Sequence, residues 1–410
     1  MRRILTCSLF LAACVAIPTL PAYSAGGNGA STPSAVGKLV VVGDSLGAGF
    51  QNFSLYDSQT NKSAPPGGQR YGFAAFIAKQ ANTDLNLPLI AHPGIPPVLS
   101  LTGKDTVTRG TKTGSREPRT LTTQTLNLSV PGYTVVDAVV HSVNVQNLSS
   151  AEDLLTVEVL GFPSLNKGAT TCGVAPGKRQ GEVLFSEAAC AIQLQPDLLL
   201  ISLGSNDVLQ SVIDGLPPTP TDIFSKAYAG LLEAFSLGTS AKIVVANVPD
   251  VTEIPFLFSV AEFQGLCGFA PSGAGKGDYV VPNIANPNTT TFNICTEYAV
   301  RPASLIAAVR TAVRDYNVII GAAAQEFGAV LVDVNCLLSG IAQNGYIVGK
   351  HHLTTQYLGG IFSLDAVHPT NTAYAILANA FIETMNRQLG TKIPTVDVEQ
   401  VADSDPLVFH

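Results

Sequence analysis

A serine stands where a buried strand is expected to turn into a helix. Lys38–Val42 reads KLVVV, a short valine-rich run that predicts a strand buried on both faces. The sequence Gly43-Asp-Ser45-Leu-Gly47 follows at once, and glycines on either side of Ser45 permit a sharp turn. Such a turn exposes the hydroxyl, although a serine that only caps a helix explains the same letters. Ser45 is a candidate nucleophile.

A base and an orienting acid occur together near the carboxyl end of the chain. A serine hydroxyl is a poor nucleophile and needs both. The sequence Ser363-Leu-Asp365-Ala-Val-His368-Pro369 places a carboxylate three residues before an imidazole. In a turn, the carboxylate can hold the ring's tautomer and stabilise the imidazolium. Pro369 favours an extended conformation at His368, so a turn is expected rather than a helix.

Two other predicted strand ends carry groups that suit an oxyanion hole. Gly132 follows the run Thr125–Val130, and Asn206 follows the run Asp197–Leu203. A glycine lets its backbone N–H approach a ligand closely, and a side-chain amide donates hydrogen bonds without titrating. An ordinary turn glycine and a pair of helix-capping residues are the competing interpretations. In both interpretations Asp207 is expected to cap the helix that follows it.

The elements that must position these residues predict an α/β fold. Short apolar runs alternate with helical patterns, which is typical of a parallel sheet covered on both faces. Ligands bind at the carboxyl ends of the strands in such sheets. The predicted strands are Lys38–Val42, Thr125–Val130, Asp197–Leu203, Lys242–Val248 and Ala329–Val334. The predicted helices are Tyr71–Asn82, Thr134–His141, Glu187–Gln195, Asp222–Ser236, Ala303–Phe327 and Asn371–Leu389.

The four chemical blocks, in this order, resemble the GDSL or SGNH hydrolase family. The letters are Ser45 in GDSL, Gly132 in the second block, Asn206 in Gly-x-Asn-Asp, and His368 in Asp-x-x-His-Pro. The resemblance spans roughly residues 38–389 and implies a three-layer α/β/α, flavodoxin-like fold with a five-stranded parallel sheet. It also implies cofactor-free hydrolysis of carboxylic esters through an acyl-enzyme on Ser45. Asp365 would complete the triad, and the Ser45 and Gly132 amides with the Asn206 side chain would form the oxyanion hole.

Three long segments depart from a minimal fold of this kind. They lie near 95–123, 148–181 and 251–301, and we interpret them as insertions into one domain that spans 38–390. Val251–Phe263 is apolar enough to wall a substrate cleft, and equally to pack onto the core. Residues 391–410 are expected to form an extended tail. No cysteine, histidine and carboxylate spacing matches a metal site, so no metal is expected. The family resemblance implies that no cofactor is needed.

Three alternative functions compete with a serine esterase or lipase. Gly43–Gly47 also fits the Gly-x-Ser-x-Gly elbow of α/β-hydrolases, but there the elbow follows a central strand and the acid lies far from the histidine. A carbohydrate O-deacetylase would use the same triad on a polar ester. A non-catalytic surface binding protein would need none of the catalytic residues. His351 and His352 are expected in a solvated loop near the cleft, with a substrate contact as the alternative.

The composition limits the partners of the chain. Charged residues make up 13 % of the 410 residues and the formal net charge is −7, so nucleic-acid binding has no electrostatic support. Residues 1–25 have the basic start, apolar stretch and small-residue end of an export signal, followed by a flexible leader at 26–37. The sequence predicts a periplasmic or secreted protein exported from a bacterial cytoplasm. Leu11-Ala-Ala-Cys14 allows an outer-membrane lipoprotein instead, and no other segment predicts a membrane span.

Export also makes disulfides possible. The chain has seven cysteines, and five lie beyond the predicted signal. Neighbours in sequence suggest the pairs Cys172–Cys190 and Cys267–Cys295, although pairing does not follow from spacing alone. Cys336 is left over and is expected to be a buried thiol. The expected ligand is a small-molecule or lipid ester, and the oligomeric state is open.

Overall fold

Short strands and helices alternate along the chain. The computed structural model describes residues 36–59, 66–103, 106–121, 123–144, 148, 150–161, 172, 185–283 and 290–409. These residues belong to one compact unit, Ser34–His410. The predicted export signal with Cys14, and leader residues 26–35, lie outside the described residues.

The described strands are β1 (Leu39–Gly43), β2 (Ser100–Leu101), β3 (Thr106–Thr108), β4 (Leu198–Ser202), β5 (Lys242–Ala246), β6 (Phe258–Ser259), β7 (Tyr279–Pro282), β8 (Thr291–Asn293), β9 (Tyr298–Arg301), β10 (Val330–Val332), β11 (Tyr346–Val348) and β12 (His351–Leu353). The described helices are α1 (Ser45–Ala48), α2 (Phe73–Gln80), α3 (Val135–Val140), α4 (Ala151–Leu160), α5 (Glu187–Leu194), α6 (Asn206–Asp214), α7 (Thr221–Gly238), α8 (Val260–Cys267), α9 (Ala303–Glu326), α10 (Val334–Asn344), α11 (Asn371–Leu389) and α12 (Val398–Ser404).

The central sheet contains four parallel strands in the order β1-β4-β5-β10. Every residue of β1 and β4 is buried, which is why these strands are apolar on both faces. The predicted fifth strand, Thr125–Val130, lies beside β1 at the edge of the sheet. It is joined to β1 by one parallel bridge, Val41 to Asn127, and by three backbone hydrogen bonds. The strand order of a flavodoxin-like sheet is therefore present, with the fifth segment joined to β1 by this short pairing and not by a regular strand ladder.

A buried carboxylate explains the irregular edge. In a regular parallel ladder the Gly43 N–H would donate to the carbonyl of Leu128. Here the Gly43 N–H donates to Oε1 of Glu187, which is fully buried at the start of α5. Because the Glu187 carboxylate accepts the Gly43 N–H, that N–H is not available to the Leu128 carbonyl. A second bridge between β1 and Thr125–Val130 therefore does not form.

Helices cover the sheet in two groups. One group contains α2, α10, α11 and α12, which pack through α11. The other contains α3, α5, α6, α7 and α9, which pack mainly through α7 and α9. Stacked rings lock each group: Phe73 on Phe381 with centroids 4.8 Å apart, and Phe224 on Tyr316 at 3.8 Å. The arrangement is the predicted α/β fold with a parallel sheet between helices.

The six predicted helices are confirmed to within two residues at each end. Four others, α4, α8, α10 and α12, fall in segments for which the sequence predicts no helix, whereas α6 is the helix expected to follow Asp207. The helix α12 corrects the expectation of a wholly extended tail. Its N-cap, Asp397, accepts a hydrogen bond from the Gln400 N–H. The sequence therefore contains a helix-capping residue here, but the helix that follows has only 7 residues.

The predicted insertions near 95–123 and 251–301 pair with each other. Strand β3 from the first lies between β2 and β8, and β8 comes from the second. The strands β6, β7 and β9 form a further small antiparallel sheet. Residues 162–171 and 173–181 of the middle insertion lie outside the described residues, whereas α4 and Cys172 are described.

Both suggested cysteine pairs are bonded. Cys172 is joined to Cys190, and Cys267 to Cys295. Cys336 is half-buried, so the prediction of a buried thiol is wrong in its burial. Two such pairs indicate folding in an oxidising, extracytoplasmic environment. Among the described residues, no helix has both the length and the apolarity needed to cross a bilayer.

Candidate active site

Ser45 lies at the junction between β1 and α1. Asp44 caps the helix, because its Oδ1 accepts a hydrogen bond from the Leu46 N–H over 2.9 Å. Ser45 is the first residue of the helix, where a backbone N–H has no acceptor within the helix. The serine is 6 % exposed. The interpretation of Ser45 as a simple N-cap is therefore wrong, since Asp44 has that role.

Asp365 and His368 form a hydrogen-bonded pair in the turn before α11. His368 Nδ1 lies 2.9 Å from Asp365 Oδ2, and the His368 and Val367 N–H groups donate to Oδ1 over 2.8 and 2.9 Å. The turn needs a positive φ of 61° at Ala366. Burial by itself would raise the pKa of Asp365, but the charge on His368 and these hydrogen bonds hold that pKa below its usual range. Asp365 is therefore ionised at neutral pH.

The chain directly after α1 holds this pair in place. The Phe53 N–H donates to Asp365 Oδ2 over 2.6 Å. The Asn52 N–H donates to Ser363 Oγ over 3.0 Å, and Asn52 Oδ1 accepts from the Leu364 N–H over 3.0 Å. Ser363 Oγ in turn donates to Asp365 Oδ1 over 3.2 Å. Two segments more than 300 residues apart are thus joined within a few residues of Ser45 and His368.

Ser45 and His368 line one cavity. The cavity encloses about 940 Å³, including the part that opens to solvent. Its walls come from the carboxyl ends of β4 and β5 and from α10 and α11, and they are mostly apolar, with Leu338, Ile376 and Leu377 among them. The cavity lies at the carboxyl ends of the strands, as predicted for this kind of sheet.

Gly132 and Asn206 are brought together next to each other. Asn206 Nδ2 donates to the carbonyl oxygen of Tyr133 over 2.9 Å, so one of its two amide hydrogens is used. Gly132 has a φ of 96°, and a Cβ added there would meet nothing within 4 Å. Glycine is favoured by the backbone conformation, and the space in front of it is open.

Asp207 caps a different helix from the one expected. Its Oδ2 accepts from the N–H of Val135, the first residue of α3, over 3.0 Å. Burial raises the pKa of Asp207 to about 6. Asn206 and Asp207 therefore both hold the segment that follows Gly132, Asn206 through the Tyr133 carbonyl and Asp207 through the Val135 N–H.

The remaining predicted contacts divide between the cleft and other parts of the fold. Val251 and Ile254 line the cavity, whereas Phe256 and Phe263 are buried away from it, so both interpretations of this segment hold in part. His351 is buried in β12 with its Nε2 2.9 Å from Asp403 of α12, and His352 is exposed. Neither histidine lines the cavity.

Sequence reasoning missed the groups that support the reacting residues. These are Asn52 and Phe53, which hold the Asp365 turn, and Glu187, which holds Gly43. Asn52 and Phe53 both have positive φ angles, of 52° and 58°. An asparagine directly after the nucleophile block is a weak signal for such a turn, because asparagine tolerates that conformation better than most residues.

The sequence match to a known family supports an ester hydrolase. The family model described as GDSL-like Lipase/Acylhydrolase matches residues 39–381, which is most of the chain. The protein belongs to this family. No curated protein sequence matches the chain.

Several solved structures are similar at low identity. LAE5, an alpha/beta hydrolase enzyme from the metagenome of Lake Arreo, is 13 % identical over 85 % of this chain and 95 % of its own, with a TM-score of 0.38. Axe2, an acetylxylan esterase from Geobacillus stearothermophilus, is 13 % identical over 85 % and 94 %, at 0.37. The esterase EstA from Pseudoalteromonas sp. is 11 % identical over 86 % and 98 %, at 0.35. The family assignment rests on the sequence match and not on these similarities.

Proposed function

We propose that Ser45, His368 and Asp365 form the catalytic triad of a serine esterase. The supporting observation is that His368 hydrogen-bonds Asp365 through Nδ1 while it faces the same cavity as Ser45. Because Nδ1 is engaged by a carboxylate, Nε2 is the ring nitrogen left to accept a proton. In this proposal Ser45 is the nucleophile, His368 the base and Asp365 the group that orients the base.

The reaction is acyl transfer to water. Ser45 Oγ attacks the ester carbonyl carbon and gives its proton to His368 Nε2, while Asp365 stabilises the imidazolium. The tetrahedral intermediate then breaks its bond to the alcohol, which leaves with the proton from His368. Water attacks the acyl-enzyme by the same steps, which releases the acid and restores Ser45.

The negative oxygen of each tetrahedral intermediate needs donors. The Ser45 and Gly132 backbone N–H groups and the Asn206 side chain supply them in this proposal. The hydrogen bond from Asn206 to Tyr133 supports the assignment, because it orients the amide and leaves its second hydrogen for substrate. The open space at Gly132 supports it as well.

The acyl group that fits the cavity is apolar. Leu338, Ile376 and Leu377 offer no hydrogen-bonding side chains, whereas a sugar ring would leave its hydroxyls unpaired against them. We therefore favour an esterase or lipase for medium or longer acyl chains over a carbohydrate O-deacetylase. An alkyl chain of this kind also suits an ester in a lipid.

Covalent labelling tests the triad. A fluorophosphonate should label Ser45 in the wild type, and labelling should be lost in Ser45→Ala and in His368→Ala. Ser202→Ala is the matched control, because Ser202 lines the same cavity and lies at the end of β4. That variant should label normally. Labelling that persists in Ser45→Ala, or that is absent from the wild type, would show that the nucleophile is wrong and would favour a non-catalytic binding protein.

We also propose that residues 1–25 direct export. The two disulfides support this proposal, because such bonds persist outside the cytoplasm. The intact mass of the processed protein tests it: a chain beginning at Gly26 indicates a secreted protein, and a diacylated chain beginning at Cys14 indicates a lipoprotein. An unprocessed chain that begins at Met1 would refute both.

A further inference from the structure

Three potential metal ligands converge outside the active site, between α3 and α4. The ligand atoms of Asp137, His141 and Glu152 all lie within 4.8 Å of one another. Asp137 and His141 are four residues apart, which places them on one side of α3. Glu152 belongs to the first turn of α4. We propose that this cluster binds a divalent transition-metal ion of the Zn²⁺ type.

Two of the ligands are already held in position. Asp137 Oδ2 accepts hydrogen bonds from the N–H and the Oγ1 hydroxyl of Thr134, over 2.9 and 2.5 Å, so Oδ1 is the oxygen that binds the ion. His141 Nε2 lies 3.2 Å from Oδ1 of the buried Asp153, so Nδ1 is the nitrogen that binds it. A carboxylate behind a ligating histidine fixes the ring and raises its basicity, which is a common arrangement at metal sites.

The chemistry of the cluster selects the kind of ion. Three carboxylates, those of Asp137, Glu152 and Asp153, surround one imidazole, so the cluster carries an excess of negative charge that a dication offsets. A nitrogen ligand together with carboxylate oxygens suits Zn²⁺ or Mn²⁺, whereas Ca²⁺ takes oxygen ligands almost alone. Half-buried side chains leave a path for the ion to enter.

The proposed ion joins α3 to α4, and the Tyr133 side chain contacts residues of both segments. The Tyr133 hydroxyl lies 2.8 Å from Thr156 Oγ1 of α4, and its ring packs against His141 with centroids 5.3 Å apart. Its carbonyl accepts the hydrogen bond from Asn206. An ion that ties α3 to α4 therefore stabilises the backbone next to Gly132 as well.

Zn²⁺ binding to the untagged, full-length protein tests the site. Isothermal titration with ZnCl₂ should show one bound ion per chain, and Zn²⁺ should raise the temperature of thermal unfolding. His141→Ala and Glu152→Gln should each weaken binding by more than the about 10–100-fold that loss of an outer-shell partner typically costs, and should remove the thermal shift. His352→Ala is the matched control, since this histidine is exposed and outside the cluster. It should bind like the wild type.

Each outcome decides the proposal. A wild type that binds no Zn²⁺, or binding that survives both cluster variants, overturns it. Binding of Ca²⁺ in preference to Zn²⁺ overturns the role of the histidine nitrogen. Because His141→Ala could alter folding, Glu152→Gln and far-ultraviolet circular dichroism of both variants show whether a lost ion reflects a lost ligand.

Discussion

The backbone N–H of Phe53 donates to the Oδ2 atom of Asp365 over 2.6 Å, and the same oxygen faces Nδ1 of His368. The segment that carries Ser45 therefore supplies a donor to the acid that orients the histidine. This contact orients the buried carboxylate and helps to keep it ionised. The two halves of the proposed triad are thus positioned by each other and not only by the sheet.

Ser363→Ala tests this connection. The substitution removes the acceptor for the Asn52 N–H and a donor to Asp365. We expect unfolding free energy to fall by roughly 1–3 kcal/mol, as for a buried group left unpaired, and kcat to fall with KM little changed. Denaturant unfolding and steady-state kinetics measure the two effects. Ser259→Ala, which removes the N-cap of α8 instead, should lose stability without losing kcat. Equal kcat in the two variants would argue against the connection.

Asn206→Ala tests the oxyanion donor. Loss of one such donor should reduce kcat on p-nitrophenyl acetate by about 10²–10³-fold, because the charge develops only in the transition state. Gln210→Ala is the control. Gln210 is exposed, and its side-chain amide donates to the Gly132 carbonyl oxygen over 3.4 Å, not to the proposed oxyanion. Activity of Asn206→Ala within about a factor of two of the wild type would remove Asn206 from the mechanism.

Glu187 should be replaceable by glutamine and not by leucine. Glutamine keeps an oxygen for the Gly43 N–H, whereas leucine leaves that buried donor unpaired at a cost of roughly 1–3 kcal/mol. Burial raises the pKa of Glu187 well above its usual range, so between the pKa values of the unfolded and folded states the folded protein holds a proton that the unfolded chain has released. Such a group lowers stability as the pH rises. Glu187→Gln should therefore be more stable than wild type at pH 8, and Glu187→Leu less. If Glu187→Leu and Glu187→Gln unfold at the same denaturant concentration, Glu187 does not have this role.

Asp44 should give the folded protein a pH-dependent stability. Burial raises the pKa of Asp44 from 3.8 to about 7, although the hydrogen bond from Leu46 and the charge on His368 act in the opposite direction. Between those values the folded state binds the extra proton, so stability falls as the pH rises, by up to about 1.4 kcal/mol per pH unit.

Asp44→Asn removes this group and keeps a good N-cap. The variant should be more stable than the wild type at pH 8, with the difference shrinking towards pH 4. Urea unfolding from pH 4 to pH 8 measures it. Parallel stability curves for the two proteins would show that Asp44 ionises normally in the fold.

Acyl-chain preference follows from the shape and lining of the cavity. The wild type should hydrolyse p-nitrophenyl octanoate with a higher kcat/KM than the acetate, because a longer chain buries more apolar surface. Leu377→Trp fills part of the cavity, so it should reduce the octanoate value and spare the acetate value. Val318→Trp, at an exposed position on α9, is the control. A wild type that prefers acetylated sugars would favour the O-deacetylase.

The sequence alone identifies the four chemical blocks and most of the elements that carry them. Local patterns of apolar residues predict the strands β1, β4, β5 and β10 and six helices. The spacing of apolar residues over a few positions already shows which face of a strand or helix is buried. The candidate residues Ser45, Asp365 and His368 follow in the same way, because each stands in a short segment with its own turn residues.

Only the tertiary structure decides how distant segments meet. Several hydrogen bonds at the site join residues that are far apart in the chain. Asn52 and Phe53 donate to the Asp365 turn, the Gly43 N–H donates to Glu187, and the Val135 N–H of α3 donates to Asp207. The approach of Glu152 to Asp137 and His141 has no spacing that a motif could show. Such contacts depend on the packing of whole helices against the sheet. A local pattern records which face of an element is buried, and it carries no information about which polar atom lies across from it.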